Sequence, residues 1–127
     1  MSKLVGCTLI IRDDFNNILI LKKKVKRGQN EIWSLLTQKI RGKESAEKCV
    51  HRGVKDILKS VVFDLEPLKE HLINEENDES VMTFVGTLKE RVILDKTYKE
   101  FKWVGKKQLD NLEILDWERK ILEDYLG

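Results

Sequence analysis

The sequence predicts an α/β (α+β) domain in which a mixed β-sheet lies between helices. Strand-like runs rich in β-branched residues come first, and a segment with apolar residues three and four positions apart follows them. Further strands and a closing helix complete the order. A sheet built in this order must be covered by helices to bury its apolar faces. The length of 127 residues suits one domain, predicted to span residues 1–127.

The strand predictions start near the amino terminus. Residues 5–12 and 18–24 are β-branched and apolar, and the turn formers between them predict that the two strands pair as a hairpin. Residues 80–88 and 101–104 predict two later strands. Pro67 interrupts a mixed segment for which no element is predicted, and residues 74–79 form an acidic loop. A hairpin combined with a helix between strands predicts mixed rather than purely parallel pairing.

Two helices are predicted. Apolar residues recur at helical spacing over residues 45–59, and Ser45 is placed to cap the first turn. Within this helix Cys49 lies on the apolar side and is expected in the core, whereas His51 lies on the polar side and is expected to be exposed. Residues 116–126 predict the second helix, with Asp116 as its N-cap.

Composition excludes several classes of function. The 24 Lys and Arg residues nearly balance the 22 Asp and Glu residues, so bulk charge gives no reason to expect nucleic acid. No apolar run approaches the roughly 20 residues of a membrane helix. Cys7 and Cys49 lack CxxC spacing, and too few residues precede Cys7 for a signal sequence. The expectation is a cytoplasmic protein without nucleic-acid or membrane partners, whose oligomeric state the sequence leaves open.

One segment carries a motif. Residues 33–62, WSLLTQKIRGKESAEKCVHRGVKDILKSVV, resemble the Nudix box, G-x5-E-x7-R-E-U-x-E-E-x-G-U with U apolar. Glu44, Arg52 and Val54 match it, and Asp56 is a shortened glutamate. The remaining defined positions differ: Gln38, Gly53, Ile57, Lys59 and Ser60. Residues 100–104, EFKWV, followed by Leu109 and a terminal helix, resemble the close of many Nudix domains. The resemblance implies a Nudix-like fold and, in active members, hydrolysis of nucleoside diphosphates linked to other groups.

The resemblance also implies a divalent metal in active members. There three glutamates on one helix face hold Mg²⁺, which neutralises phosphate oxygens and activates water. The same positions here are Gly53, Asp56 and Ile57, and the first and last fall inside the apolar arc at 100° per residue. The sequence therefore predicts Asp56 at most as a metal ligand and, more simply, no metal. The expected function is binding of a nucleotide-like or phosphorylated small molecule with weak or absent catalysis.

An active hydrolase using Mg²⁺ or Mn²⁺ and replacement carboxylates is the alternative. Its candidate catalytic residues are Asp56, Glu44 and Glu100, with Glu79 as a further possible ligand. The favoured explanation of Asp56 is instead a surface carboxylate that pairs with Lys59 or Arg52 at helical spacing. By resemblance, Glu44 and Arg52 brace the loop before the helix. A protein-interaction module with a vestigial cleft is a third possibility.

The candidate ligand-binding residues are Lys23, Arg52, Trp33 and Trp103. Lys23 belongs to the basic segment 22–27, and by resemblance such residues reach a substrate phosphate. Lysines that protect an edge strand against association explain the same segment equally well. By resemblance Trp33 and Trp103 line a base-binding pocket, although aromatic residues beside strands are more usually core residues.

Overall fold

The computed structural model describes residues 3–126 and contains seven strands and three helices within that range. The strands are β1 (Lys3–Ile11), β2 (Ile18–Lys23), β3 (Trp33–Ser34), β4 (Leu36–Lys39), β5 (Val62–Asn74), β6 (Glu79–Leu88) and β7 (Tyr98–Val104). The helices are α1 (Ala46–Gly53), which continues as a π-helical turn over Val54–Leu58, α2 (Lys106–Leu109) and α3 (Asp116–Leu126). No helix among residues 3–126 is long and apolar enough to cross a membrane.

The strands form two sheets. One has the order β4-β1-β6-β5 and the other the order β3-β2-β7. The β1–β6 pair is parallel and the remaining pairs are antiparallel, which confirms the predicted mixed pairing. The predicted β1–β2 hairpin is wrong, because the two strands share only a bridge between Arg12 and Ile18 and then diverge into different sheets. Strand β1 pairs with β4 and β6, whereas β2 pairs with β3 and β7.

The larger sheet lies between α1 and α3, as the fold class predicted. Side chains alternate along a strand, so Cys7, Leu9 and Ile11 of β1 pack in the cluster beneath α1. Ile10 points to the opposite face and packs with Ile121 of α3. Both faces of β1 are therefore buried, which explains its nearly continuous apolar sequence.

Helix α1 begins and ends by identifiable contacts. The Ser45 side chain accepts a hydrogen bond from Lys48 N at 3.2 Å, which confirms the predicted cap. After the π-helical turn, Lys59 adopts a left-handed conformation with φ of 51° and ends the helix. The carbonyl groups of Ile57 and Leu58 accept hydrogen bonds from the amides of Asp95 and Ile93, at 2.8 and 2.9 Å. The segment before β7 is thereby fixed against the end of the helix.

Two local predictions are corrected. Pro67 lies within the 13-residue strand β5, where no element was predicted. Among residues 3–126 the strand pairs only with β6, and it has register shifts on both sides of Pro67. The missing amide therefore costs no ladder hydrogen bond toward a second neighbour in this range. Asp116 is the first residue of α3 rather than its N-cap, and the carbonyl of Leu115 accepts the Arg119 amide at 2.9 Å.

Candidate functional site

A cleft of about 830 Å³ opens between the end of β2, strand β4 with the segment after it, and the start of α3. Its lining is Lys23, Val25, Asn30, Ile32, Ser34, Leu35, Thr37, Gln38, Lys39, Ile40, Arg41, Tyr98, Leu115, Trp117 and Glu118. A volume of this size accommodates a small organic ligand. Strands β2, β3, β4 and β7, helix α3 and the neighbouring loops contribute to this lining, so the shape of the cleft depends on the packing of both sheets.

The charges of the cleft are arranged asymmetrically. Lys23, Lys39 and Arg41 are exposed around its mouth, and the single acidic side chain in the lining, Glu118, is buried with 1% of its surface accessible. Three cations at an open mouth favour an anionic group such as phosphate. At the buried carboxyl group of Glu118, by contrast, a ligand group that can form a hydrogen bond is favoured over a second anion.

Glu118 belongs to the apolar face of α3. Its Oε2 accepts a hydrogen bond from Leu35 N at 2.6 Å, and within residues 3–126 no other hydrogen bond reaches this carboxyl group. Burial raises the pKa of Glu118 to about 7, against opposing contributions from the Leu35 amide and the charge of Lys23. Near neutral pH the group therefore exists in both protonation states, and it can either donate or accept a hydrogen bond.

Aromatic and apolar side chains form the walls between these polar groups. Tyr98 is 8% exposed, and its ring lies 5.8 Å from Lys23 Nζ. Trp117 is half-buried in the first turn of α3. Leu35 is buried beside Glu118 and contributes the backbone amide described above. The cleft thus combines a cationic mouth, flat apolar walls and one buried polar group.

The side of α1 that faces β4 is filled by protein side chains. A Cβ atom on Gly53 would lie 2.7 Å from Gln38 Cγ and 3.0 Å from Leu36 Cδ2, both closer than ordinary contact. Ile57 is 6% exposed and packs in the cluster with Tyr98. Glutamate side chains at positions 53 and 57 would have to displace these neighbours. The residues present therefore do not fit the three-carboxylate cradle that the resemblance implies.

The contact predicted between Glu44 and Arg52 is present. Arg52 Nε and Nη2 donate to the two Glu44 carboxylate oxygens at 2.9 and 3.0 Å, a bidentate pair. Nη2 also donates to the carbonyl of Lys39 at 2.7 Å. The hydrogen bond from Arg52 lowers the pKa of Glu44 to about 2. Arg52 thereby ties the loop before α1 to the end of β4.

The other candidate carboxylates are dispersed. Asp56 is exposed on the π-helical turn, and Lys59 Nζ donates to its backbone carbonyl rather than to its side chain. Glu79 starts β6 and accepts a hydrogen bond from Asn74. Glu100 lies on β7, where its carboxylate is 3.5 Å from Lys22 Nζ. Within residues 3–126, no group of three His, Cys, Asp or Glu side chains is arranged to hold a metal ion.

Lys23 alone among the four candidate ligand-binding residues lines the cleft. Trp33 is 6% exposed and packs in the core on the α3 side. Lys22 Nζ lies over its ring, 4.3 Å from the ring centre. Trp103 packs against the cluster on the α1 side, so the two tryptophans lie in different layers. The explanation of the lysines as edge protection is wrong, because β2 lies between β3 and β7.

The residue that sequence reasoning missed is Glu118. Its signal is visible in retrospect, since Glu118, Ile121, Leu122 and Tyr125 recur at helical spacing and all face the core side of α3. A carboxylate in such a stripe is unusual because burying a charge is costly. Cys49 is fully buried and His51 is exposed, as predicted.

The fold is that of the Nudix hydrolases. A MutT structure from work on Aliivibrio salmonicida and Vibrio cholerae is similar with a TM-score of 0.79 and 14% identity, covering 96% of this chain and 96% of that chain. A MutT Nudix hydrolase from Burkholderia pseudomallei has a TM-score of 0.72 and 22% identity, covering 97% of this chain and 98% of that chain.

A structure with a bound ligand is also similar. The Nudix domain of Shewanella oneidensis NrtR, solved as a complex with ADP ribose, has a TM-score of 0.75 and 14% identity. The match covers 100% of this chain and 90% of that chain. No protein-family model and no curated protein matches the sequence. At these identities the similarity establishes the fold.

Proposed function

We propose that this chain is a Nudix-fold domain that binds a nucleotide-like or phosphorylated small molecule and has weak or no metal-dependent hydrolase activity. The observation that carries the proposal is the close packing of Gln38 and Leu36 against Gly53. Two positions that differ from the motif, 38 and 53, are complementary in volume, since the side chain at one occupies the space left free at the other. Such a pair supports a cleft wall built for packing rather than for a hydrated cation.

The cleft supports ligand binding by its chemistry. Lys23, Lys39 and Arg41 offer positive charge to a phosphate group. Trp117 and Tyr98 offer flat apolar surface to a planar ring, and Glu118 offers a hydrogen bond whose direction can follow the ligand. A ligand in which an aromatic group is joined to an anion complements all three features: the positive charges, the flat apolar surface and the hydrogen bond of Glu118. A nucleotide has this composition.

Binding is tested by calorimetry and thermal shift with ADP-ribose and a panel of nucleoside diphosphate derivatives. A ligand that binds the folded state raises the midpoint of thermal unfolding. Lys23→Met is expected to weaken binding several-fold. The matched control is Lys24→Met, because Lys24 is adjacent and exposed but does not line the cleft. Equal affinities in the two variants would contradict the assigned role of the cleft.

Turnover is tested on the same compounds with Mg²⁺ or Mn²⁺, by release of phosphate or nucleoside monophosphate. We expect binding without appreciable product. The alternative, a hydrolase with replacement carboxylates, requires turnover that Asp56→Ala abolishes, together with saturable metal binding. Glu44, Glu79 or Glu100 would then have to supply the further ligands, and each of these carboxylates already contacts another side chain. If neither binding nor turnover is observed, the result favours the third possibility, a protein-interaction module.

A further inference from the structure

Two cysteines that the proposed function does not use lie side by side beneath α1. Cys7 on β1 and Cys49 on α1 are both free and have no solvent-accessible surface. Their Sγ atoms are 2.9 Å apart, with the Cys7 thiol donating to Cys49. We propose that this pair is an oxidation site at which peroxide converts the two thiols into an intrachain disulfide joining β1 to α1.

The geometry requires little movement. A disulfide needs its sulfur atoms about 2.0 Å apart, so the two sulfurs have to approach by less than about 1 Å from their present positions. Both residues belong to one packed cluster, and the elements that carry them face each other directly. The closed loop would contain β2, β3 and β4, so the bond would constrain most of the first half of the chain.

The reaction balances with hydrogen peroxide as the oxidant. The Cys49 thiolate attacks one peroxide oxygen, the O–O bond breaks, and hydroxide leaves and takes up the proton that the thiol released. The Cys7 thiolate then attacks the sulfenic sulfur of Cys49. The S–S bond forms as the S–O bond breaks, and the leaving hydroxide takes up the proton released by the Cys7 thiol to give a second water. Two electrons pass from the thiols to peroxide, and two waters are the only other products.

The surroundings assign the order and the speed of these steps. The Cys7 thiol donates a hydrogen bond to Cys49 Sγ, and Arg52 Nη2 lies 3.7 Å from the same sulfur. Both favour a thiolate on Cys49, against the opposing charge of Glu44, so Cys49 is the first to react. Burial raises the pKa of both cysteines, most strongly that of Cys7. Since the thiolate is the reactive form, oxidation is slow and follows local opening of the α1 face.

Formation of the disulfide would change contacts of residues that line the cleft. The Cys49 thiol approaches the carbonyl oxygens of Gln38 and Lys39, at 3.6 and 3.5 Å, and both residues line the cleft. A disulfide sulfur carries no hydrogen, so these two contacts lose their donor when the bond forms. The backbone at residues 38 and 39 is therefore expected to sense the oxidation state of the pair.

In the test, the folded protein is treated with hydrogen peroxide and then unfolded in denaturant that contains an alkylating agent to block the remaining free thiols. Its peptides are then mapped without reduction. We expect a cross-linked peptide containing Cys7 and Cys49, a mass decrease equal to two hydrogens, and reversal by a thiol reductant. Closing so large a loop should raise the midpoint of thermal unfolding by about 15 °C. The amide chemical shifts of residues 38 and 39 should change, whereas those of α2 should not.

The controls separate this proposal from that for the cleft. Cys7→Ala should show neither the cross-linked peptide nor the rise in unfolding temperature after peroxide treatment. The peptide map of the wild-type protein decides the matter even where the variant does not fold. Alkylation of both cysteines after treatment, oxidation of either to sulfinic acid, or a disulfide between two chains would overturn the proposal. None of these outcomes depends on whether the cleft binds a nucleotide.

Discussion

Replacement of Glu118 by glutamine should change how the stability of the protein depends on pH. Glutamine keeps an oxygen that can accept the Leu35 amide, but it cannot ionise. The pKa of Glu118 is about 7 in the folded protein, compared with 4.5 as its ordinary value. The difference measures how strongly the fold disfavours the charged carboxylate, because ionisation remains easy in the unfolded chain.

The sign and the size follow from these two values. Below pH 4.5 the carboxyl group is protonated in both states and costs nothing. As the pH rises through 4.5 toward 7, the unfolded chain loses this proton first, so the stability of the folded protein falls. Each pKa unit corresponds to about 1.4 kcal/mol, and the full loss above pH 7 is therefore about 3 kcal/mol for this group.

Urea unfolding of the wild-type protein and of Glu118→Gln at pH 4, 6 and 8 measures this effect. The free-energy difference between them should shift by about 3 kcal/mol in favour of the variant from pH 4 to pH 8. His71, whose pKa is lowered by burial, titrates in both proteins and cancels in the difference. The control is Glu123→Gln, on the exposed side of α3, which should give a parallel profile. Parallel profiles for Glu118→Gln as well would refute the reasoning.

Two further predictions concern the α1 side of the cleft. Gly53→Ala should lower the free energy of unfolding, because the added Cβ collides with Gln38 Cγ. The loss should be about 1–2 kcal/mol larger in the wild-type background than in a protein that already carries Gln38→Ala, where this Cγ is absent. A double-mutant cycle of unfolding free energies measures this coupling, and additive effects would contradict the packing argument. Arg52→Lys removes the bidentate pair with Glu44 and should lower the midpoint of thermal unfolding at pH 7. Since the pKa of Glu44 is held at about 2, the difference from wild type should shrink as the pH falls from 4.5 toward 2, and a constant difference would count against the pair.

The sequence was most informative where one pattern dominated locally. The period of three and four over residues 45–59 predicted α1 and its cap, and the spacing from Glu44 to Arg52 in the motif predicted the contact between them. It was least informative about partners across the fold. Turn formers after β1 predicted a hairpin, but the pairing of β1 with β6 and β4 is set by burial on both faces of the strand.

The candidate site illustrates the same limit. Lys23 was named as a ligand contact by resemblance to the Nudix family, and it lies in the lining of the cleft, while its role in binding stays a prediction. Glu118 was missed because its importance comes from burial against Leu35, a neighbour distant in sequence. The complementarity of Gly53 with Gln38 is likewise a contact between two elements. A single sequence shows each of these residues but not their contacts.

The central position of β1 has a consequence for biosynthesis. One edge of this strand can be satisfied early, when β4 leaves the ribosome, but its other edge is paired by β6. Until residues 79–88 have emerged, an apolar strand with unpaired amides stays open to association with other nascent chains. Contacts so distant along the polypeptide also make for slow folding. A chaperone that shields amino-terminal segments during translation would therefore raise the yield of this protein more than one that acts after release.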